Sequence, residues 1–468
     1  MGDTDTDAGL GGGDEHAAAL PEAVSNGVWQ RYRRLPANVF VISLVSLLND
    51  ASSEIIYPFL PLFLAATLGA TPFAIGLIEG AAESVSGLLK LFAGYWSDRR
   101  GRRKGLVVFG YALASAMRPL LAFTTSWPQV LGIRLADRVG KGIRSAPRDA
   151  MIADAATPAE RGLAFGFHRA MDHTGAVIGP LLGFAILAIV ARNRNAPTPS
   201  DYQTLFLLAS VPALCAVLVA AFAIRESPKA ERAGRAERAT RASDGATGGA
   251  SDATSGDASD STSDGATVAA AAPAPPRLSL RGFDGNFKRF LAILALFTLA
   301  NSSDVFLLLR ARAAGISAST IPLLWAALHM SKVLSSLVGG DLSDRLGRRT
   351  LIASGWMLYA AVYAGFAYVS TVGQAWVLFL VYGIYFGLVE GAEKALVADL
   401  VRPEQRGTAY GLYNLAYSIT VLPASLLLGA LWSWRGAQTA FLTGAALGAL
   451  SAVLLLLSVR TSTERRHV

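Results

Sequence analysis

Gly94-Tyr95-Trp96-Ser97-Asp98-Arg99-Arg100-Gly101-Arg102-Arg103 is a polar, basic stretch set between long apolar segments. It returns as Gly340-Asp341-Leu342-Ser343-Asp344-Arg345-Leu346-Gly347-Arg348-Arg349. Both copies read Gly-x-x-x-Asp-Arg-x-Gly-Arg-Arg, and each follows the second apolar span of its half. One copy alone is an ordinary positive anchor at a helix end. Two copies at matching places mark an internal duplication.

Composition points to a bilayer. The hydrophobic fraction is 52% and the charged fraction 16%, against roughly 25% charged in a soluble domain; the mean hydropathy is +0.41. About 20 apolar residues cross a hydrocarbon core of about 30 Å. Such spans fit at 38–65, 72–97, 105–124, 127–147, 162–190, 202–224, 287–310, 318–342, 350–370, 373–398, 407–431 and 437–459.

The net charge of +8 is placed as a membrane protein places it, not as a nucleic-acid footprint. Arg31, Arg33 and Arg34 precede the first span, Arg99 to Lys104 follow the second, and Arg345 to Arg349 follow the eighth. The opposite loops carry only Arg192, Arg194, Arg312 and Arg435. By the positive-inside rule both termini and the central loop are expected in the cytoplasm, with the chain in the inner (plasma) membrane. The single cysteine, Cys215, forbids an intrachain disulfide.

The expected organisation is a disordered tail at 1–36, a first set of six spans at 37–224, a cytoplasmic, mostly disordered linker at 225–286, a second set at 287–459 and a tail at 460–468. The linker is rich in Ala, Ser, Asp, Gly and Thr and nearly free of bulky apolar residues. The duplication extends beyond the opening motif. Ala150 to Asp154 and Arg161 to Gly166 parallel Ala395 to Asp399 and Arg406 to Gly411, and Ser52-Ser53-Glu54 echoes Ser302-Ser303-Asp304. Parallel repeats of this kind place a site at their interface near mid-membrane.

With these repeats the chain resembles the major facilitator superfamily of secondary transporters, over about Leu35 to Val459, and in particular its proton-coupled drug and metabolite exporters. The resemblance implies an all-α membrane protein of twelve transmembrane helices in two pseudo-symmetric six-helix bundles. It also implies that the repeated motif is a cytoplasmic gate, formed by Gly94, Asp98, Arg99, Gly101, Arg102 and Arg103 in one half. Gly340, Asp344, Arg345, Gly347, Arg348 and Arg349 form it in the other. Asp98 and Asp344 are expected to meet a helix N-terminus of the opposite half, where the dipole favours an anion. Gly175, Gly179, Pro180 and Gly183 resemble a span-5 motif associated with proton-exchanging exporters; read physically, glycines four apart let helices approach and proline loosens the ladder. Arg134, Asp137 and Arg138 resemble a span-4 motif whose arginine contributes to proton coupling, here with Lys141 and Arg144 added.

Spacings of three and four put Arg134, Asp137 and Arg138 on one helix face, as they do Asp50 with Glu54, Glu79 with Glu83, and Arg169 with Asp172 and His173. Charges at such depth are expected to face a central cavity unless paired as struts. A carboxylate among apolar walls holds a proton more readily, and a nearby arginine reverses that. Asp50 is the first candidate for coupling, then Asp172 and Glu54, with Arg138 as modulator and Glu83 also near mid-span. Asp304, His329, Lys332, Glu390, Glu393 and Lys394 are the sparser groups of the second half, so coupling is expected in the first. No metal cluster, cofactor loop or nucleophile–base pair stands out, and no catalytic cluster of an enzyme. The expected partners are a small-molecule solute, protons and lipid, with no nucleic acid; a monomer is expected. Export of a small polar or charged solute is the leading expectation, and proton-symport uptake of an organic anion or other metabolite the alternative.

Overall fold

A computed structural model describes residues 35–100, 103–157, 160–193, 196–226, 279–402 and 405–459; within these, the side chains of 95, 98–100, 162, 337–341, 343 and 344 lie outside the description. The described residues form helices and no strands. In the first half these are α1 (Ala37–Ile56), α2 (Leu60–Ala66), α3 (Pro72–Arg100), α4 (Lys104–Leu120), α5 (Trp127–Ala155), α6 (Arg161–Val190) and α7 (Pro199–Ala223). In the second they are α8 (Gly285–Ala300), α9 (Val305–Ala313), α10 (Ile321–Leu346), α11 (Arg348–Tyr368), α12 (Val372–Leu400), α13 (Arg406–Arg435) and α14 (Ala437–Ser458). Counting α1 with α2 and α8 with α9 as single rods, nine among the described residues are long and apolar enough to cross a membrane.

Local sequence sets the ends. Pro58 cannot donate to the helix ladder, so α1 stops at Ile56 and resumes as α2. The equivalent rod of the second half breaks at Asn301–Asp304, between α8 and α9. The echoing triplets are therefore used differently: Ser52-Ser53-Glu54 lies in the last turn of α1, whereas Ser302-Ser303-Asp304 is the break itself. A Ser/Thr-x-x-Gln box opens α5 and α12 alike. The Gln129 side chain accepts from the Ser126 N–H at 3.3 Å, and Gln374 from the Thr371 N–H at 3.2 Å. At the other end Gly347, with φ of 82°, turns α10 into α11 with no intervening loop. Several helices outrun their apolar segments: α5 continues to Ala155 rather than 147, and α3 to Arg100 rather than 97. Polar residues carry these helices past the hydrocarbon toward the repeated motif.

The side chains sort by face as lipid demands. On α7 the exposed Leu207, Val211, Leu214, Leu218 and Phe222 recur every three or four residues, while Ala209, Ala213, Ala216 and Ala220 are buried behind them. Bulk faces lipid and small residues face protein, the reverse of a soluble helix. The second half has an aromatic core, with Phe297 stacked on Trp356 at 4.2 Å and Tyr359, Tyr363 and Phe366 fully buried around them.

Glycines set the helix spacing. A Cβ at Gly175, Gly179 or Gly183 of α6 would lie 2.6, 2.6 and 3.0 Å from the carbonyl oxygens of Leu47, Ala51 and Ile55 of α1. The span-5 glycines thus form a seam one turn apart where α6 meets Leu47 to Ile55 of α1. A second seam joins the two halves. Gly76 and Gly80 of α3 abut Ser425 and Leu422 of α13, and Gly429 of α13 abuts Pro72 of α3. Ser84 donates to the Ser418 carbonyl at 2.6 Å. These contacts run from Pro72 to Gly87, in the half of α3 remote from the repeated motif.

Gly179→Ala should lower the melting temperature of the purified protein, by overpacking worth about 1–3 kcal/mol. Gly166→Ala, on the same helix with nothing within 4 Å of the added carbon, should leave it unchanged. Thermal unfolding of the two variants in detergent checks the pair.

Candidate functional site

The charges of the first half are a built structure. Glu79 and Glu83, one turn apart on α3, face Arg134 and Arg138, one turn apart on α5. Arg134 donates to both Glu79 oxygens at 2.9 Å, and Arg138 lies 3.0 Å from Glu83. Asp137 sits between, 3.8–3.9 Å from Arg118, Arg134 and Arg138. Arg118 donates to the Asn49 carbonyl at 3.1 Å and its side-chain oxygen at 2.8 Å, tying α4 to α1. The ladder exists because the helices approach closely: a Cβ on Gly142 of α5 would lie 2.6 Å from Leu89 of α3. An arginine at mid-helix costs about 2.5–3.5 kcal/mol on insertion scales, and a bidentate carboxylate answers that cost with charge-assisted hydrogen bonds. The predicted face Arg134, Asp137 and Arg138 is thus a set of paired struts. Arg118 was not singled out by spacing; its one signal is a charge ahead of Pro119 inside an apolar span.

Asp50, Glu54 and Asp172 have no arginine or lysine within salt-bridge distance among the described residues, whereas Asp149 pairs with Arg148 at 2.9 Å. Asp50 accepts from its neighbour Asn49 at 2.9 Å. Glu54 accepts at 2.8 Å from the indole N–H of Trp325, which belongs to α10 of the other half. Tyr57 stacks beside the same indole at 5.0 Å, and His329 meets its edge at 5.0 Å. Asp172 lies 3.5 Å from His168 rather than against Arg169, and its Oδ1 is buried without a hydrogen-bond partner. Arg169 instead crosses the seam to Glu390 at 3.6 Å. His173 is exposed on α6. The struts and the acids Asp50, Glu54 and Asp172 are therefore different residues, although the sequence reading put both among the candidates for one central cavity.

In the second half Asp304, at the helix break, accepts from the Tyr382 hydroxyl at 2.6 Å and lies 3.5 Å from Lys332. Farther along α12 a cavity of about 250 Å³ opens between α8, α12 and α13. Glu390, Glu393 and Lys394 line it with Phe297, Phe386 and Tyr417. Glu390 pairs with Lys394 at 2.9 Å. Glu393 is held by the Trp356 indole at 3.0 Å and the Tyr413 hydroxyl at 2.8 Å. This concentration of polar groups on one aromatic-walled hollow was not foreseen from spacing, because the rings that build it come from three helices.

At the repeated motif, Gly101 and Arg102 lie outside the described residues, as do the side chains of Asp98, Arg99 and Asp344. Arg103 pairs with Asp154, and Arg348 with Asp399, the matching carboxylates of the two repeats. Both pairs stay within one half. The Glu226 carboxylate, just after α7, accepts from the Arg103 N–H at 3.0 Å and the Lys104 N–H at 2.6 Å, which caps α4 where its dipole favours an anion. Arg349 donates to the Val459 carbonyl at 2.7 Å. Among the described residues no group of three or more His, Cys, Asp or Glu is arranged to hold a metal ion.

Comparisons with known proteins agree with this architecture. The family model for the Major Facilitator Superfamily matches residues 42–422 and 289–468. An uncharacterised MFS-type transporter of Methanocaldococcus jannaschii is 32% identical over 430 residues, 91% of this chain and 95% of that one. Multidrug resistance protein MdtH of Cronobacter sakazakii is 33% identical over 115 residues, 22% of this chain and 28% of its own length. Among solved structures, a bacterial homologue of the human lysosomal transporter Spinster, in an inward-facing and occupied conformation, superposes with a TM-score of 0.69 at 15% identity. It covers 91% of this chain and 97% of that one. A D-xylose–proton symporter gives 0.67 at 16% identity over 91% and 98%. At such identities the likeness is one of fold.

Breaking the ladder by Arg134→Met should destabilise the protein by about 3–5 kcal/mol, by leaving Glu79 buried and unpaired. The double variant Glu79→Leu with Arg134→Met should recover most of that loss. Thermal unfolding of the single and double variants checks it.

Proposed function

This chain belongs to the Major Facilitator Superfamily of membrane transporters, and from that premise we propose that it exports a small polar or charged solute in exchange for protons. It works by alternating access of two six-helix bundles. The nine apolar rods are completed to twelve by α3, α5 and α10. Of these, α3 and α5 carry the inward charges Glu79, Glu83, Arg134 and Arg138, and α10 carries Lys332. The repeated motif and both termini lie at the cytoplasmic face of the inner membrane, in keeping with the positive-inside rule. With the α3–α13 seam packed at the opposite end, the conformation is the inward-facing one.

The observation that carries the coupling is Glu54. It is a carboxylate of the first bundle whose partner is an indole of the second, near the packed end of the seam. A hydrogen bond to an ionised acceptor is roughly twice as strong as a neutral one, so a proton arriving at Glu54 weakens a contact between the bundles. Asp50, one turn earlier, and Asp172 on α6 are the further proton-accepting groups. Glu83, Arg138 and the rest of the ladder hold α3 to α5 while the bundles rock. Arg169 with Glu390 is an exposed charged tie between the bundles, and Asp304 with Lys332 and Tyr382 stiffens the broken rod. The repeated motif, with Arg103 on Asp154 and Arg348 on Asp399, is the cytoplasmic gate. Export is favoured over uptake by the span-5 glycine and proline run and by the partial likeness to a multidrug resistance protein.

In proteoliposomes, Asp50→Asn should abolish transport driven by a pH gradient, by at least tenfold, while gradient-free solute counterflow persists. Unchanged coupling in the variant contradicts the assignment. Reversing the imposed gradient distinguishes the directions: exchange drives solute against the proton flow, and symport drives it along with that flow.

A further inference from the structure

We propose that the cavity between α8, α12 and α13 is the solute subsite and that it takes an organic monocation, an amine or quaternary ammonium on an aromatic or apolar body. Only the word solute rests on the transporter reading; the ligand chemistry rests on the cavity. Glu393 is 8% exposed and lines the hollow. Both of its oxygens are fixed, one by the Trp356 indole and one by the Tyr413 hydroxyl. Those donors are neutral. They orient the carboxylate without cancelling its charge, and among the described residues no arginine, lysine or histidine lies within 4.0 Å of it.

The neighbouring charges are already committed. Glu390 is paired with Lys394 at 2.9 Å and with Arg169 across the seam at 3.6 Å. Among the charges that line the cavity, Glu390 and Lys394 pair with each other, and Glu393 is the carboxylate left without a cationic partner among the described residues. The contrast with the first half is informative: Glu79 and Glu83 each have an arginine at 2.9–3.0 Å. A buried anion held in position but unneutralised is what a site complementary to a cation requires.

The walls point the same way. Phe297, Tyr385, Phe386, Tyr413 and Tyr417 contribute rings to the lining, and ring faces attract cations and repel anions. Phe386 already carries such a partner, with the Lys332 ammonium 4.0 Å from its centroid. The volume of about 250 Å³ is just below the range of ligand pockets, about 300 to 1,000 Å³, and so limits the ligand to about one ring and a short amine. An organic anion would meet Glu393, Glu390 and the ring faces together. A neutral body would leave the Glu393 charge unanswered.

Equilibrium binding to the full chain in lipid nanodiscs tests this, using phenethylamine and benzyltrimethylammonium as cations, 2-phenylethanol as the neutral analogue and 3-phenylpropionate as the anion. The expected result is saturable binding of both cations, with the neutral and anionic analogues at least tenfold weaker. Glu393→Gln should weaken the cations at least tenfold, and Tyr417→Leu, which keeps the carboxylate and removes a ring, about threefold or more. Because Glu393→Gln disturbs two hydrogen bonds, its melting temperature is measured alongside, and Tyr417→Leu decides if the first variant does not fold. Equal or tighter binding of 3-phenylpropionate overturns the proposal. So does unchanged cation affinity in the folded variants, or a folded protein that binds neither cation because a proton neutralises Glu393. Vesicle counterflow separates this from the transporter reading. Counterflow of an anion without cation binding leaves transport standing and removes the cation site; cation binding without counterflow of any solute does the reverse.

Discussion

A full charge in hydrocarbon must be matched inside the protein, and that requirement organises the whole molecule. On α3 and α5 it is met pair by pair, Glu79 with Arg134 and Glu83 with Arg138, so the two helices are tied at two successive turns. Arg118 extends the same logic to α4 and α1 through Asn49. Among the carboxylates without a cationic partner are Asp50 and Glu54 on α1, Asp172 on α6 and Glu393 in the second-half cavity. Those are the groups we propose respond to a proton or a ligand. Rigidity and response are thus divided among residues of the same chemical type by whether a partner of opposite charge stands opposite.

Close helix approach makes such matching possible. The Gly175, Gly179 and Gly183 seam draws α6 onto the carbonyls of α1, and Gly76 and Gly80 draw α3 onto α13. Small residues at a seam have a second consequence. With few side chains interlocked between the bundles, the contact from Pro72 to Gly87 is a smooth surface joined by a few hydrogen bonds, Ser84 to the Ser418 carbonyl and the Phe73 N–H to Ser433 among them. A smooth seam with few polar ties is suited to opening as a unit, whereas the charged ladder within the first bundle is suited to holding.

Much of the fold was legible because lipid imposes simple rules. Apolar length, arginine placement and the two copies of Gly-x-x-x-Asp-Arg-x-Gly-Arg-Arg gave the helical membrane architecture and the family before any coordinates. Spacing also placed Arg134, Asp137 and Arg138 on one face correctly. It did not reveal that Glu79 and Glu83 stand opposite two of them, since that depends on which helices are neighbours. Nor did it separate Asp172 from Arg169: a separation of three residues permits that pair, but the rotation of α6 sends Arg169 across the seam. The aromatic cavity was less legible still. Glu390, Glu393 and Lys394 read as sparse charges along α12, and their meaning depends on rings brought from α8 and α13. Where one helix fixes the answer, the sequence is sufficient; where three must meet, it is not.

The central claim is that the two bundles rock about the seam, opening one end as the other closes. The most direct measurement is electron-resonance distance determination on the Cys215→Ser background, with spin labels at Thr125→Cys and Ser370→Cys at one end and Gly105→Cys and Thr350→Cys at the other. Imposing a pH change or adding solute should shorten one distance while lengthening the other, in opposite senses at the two ends. Distances that stay fixed, or that change together, would contradict the account.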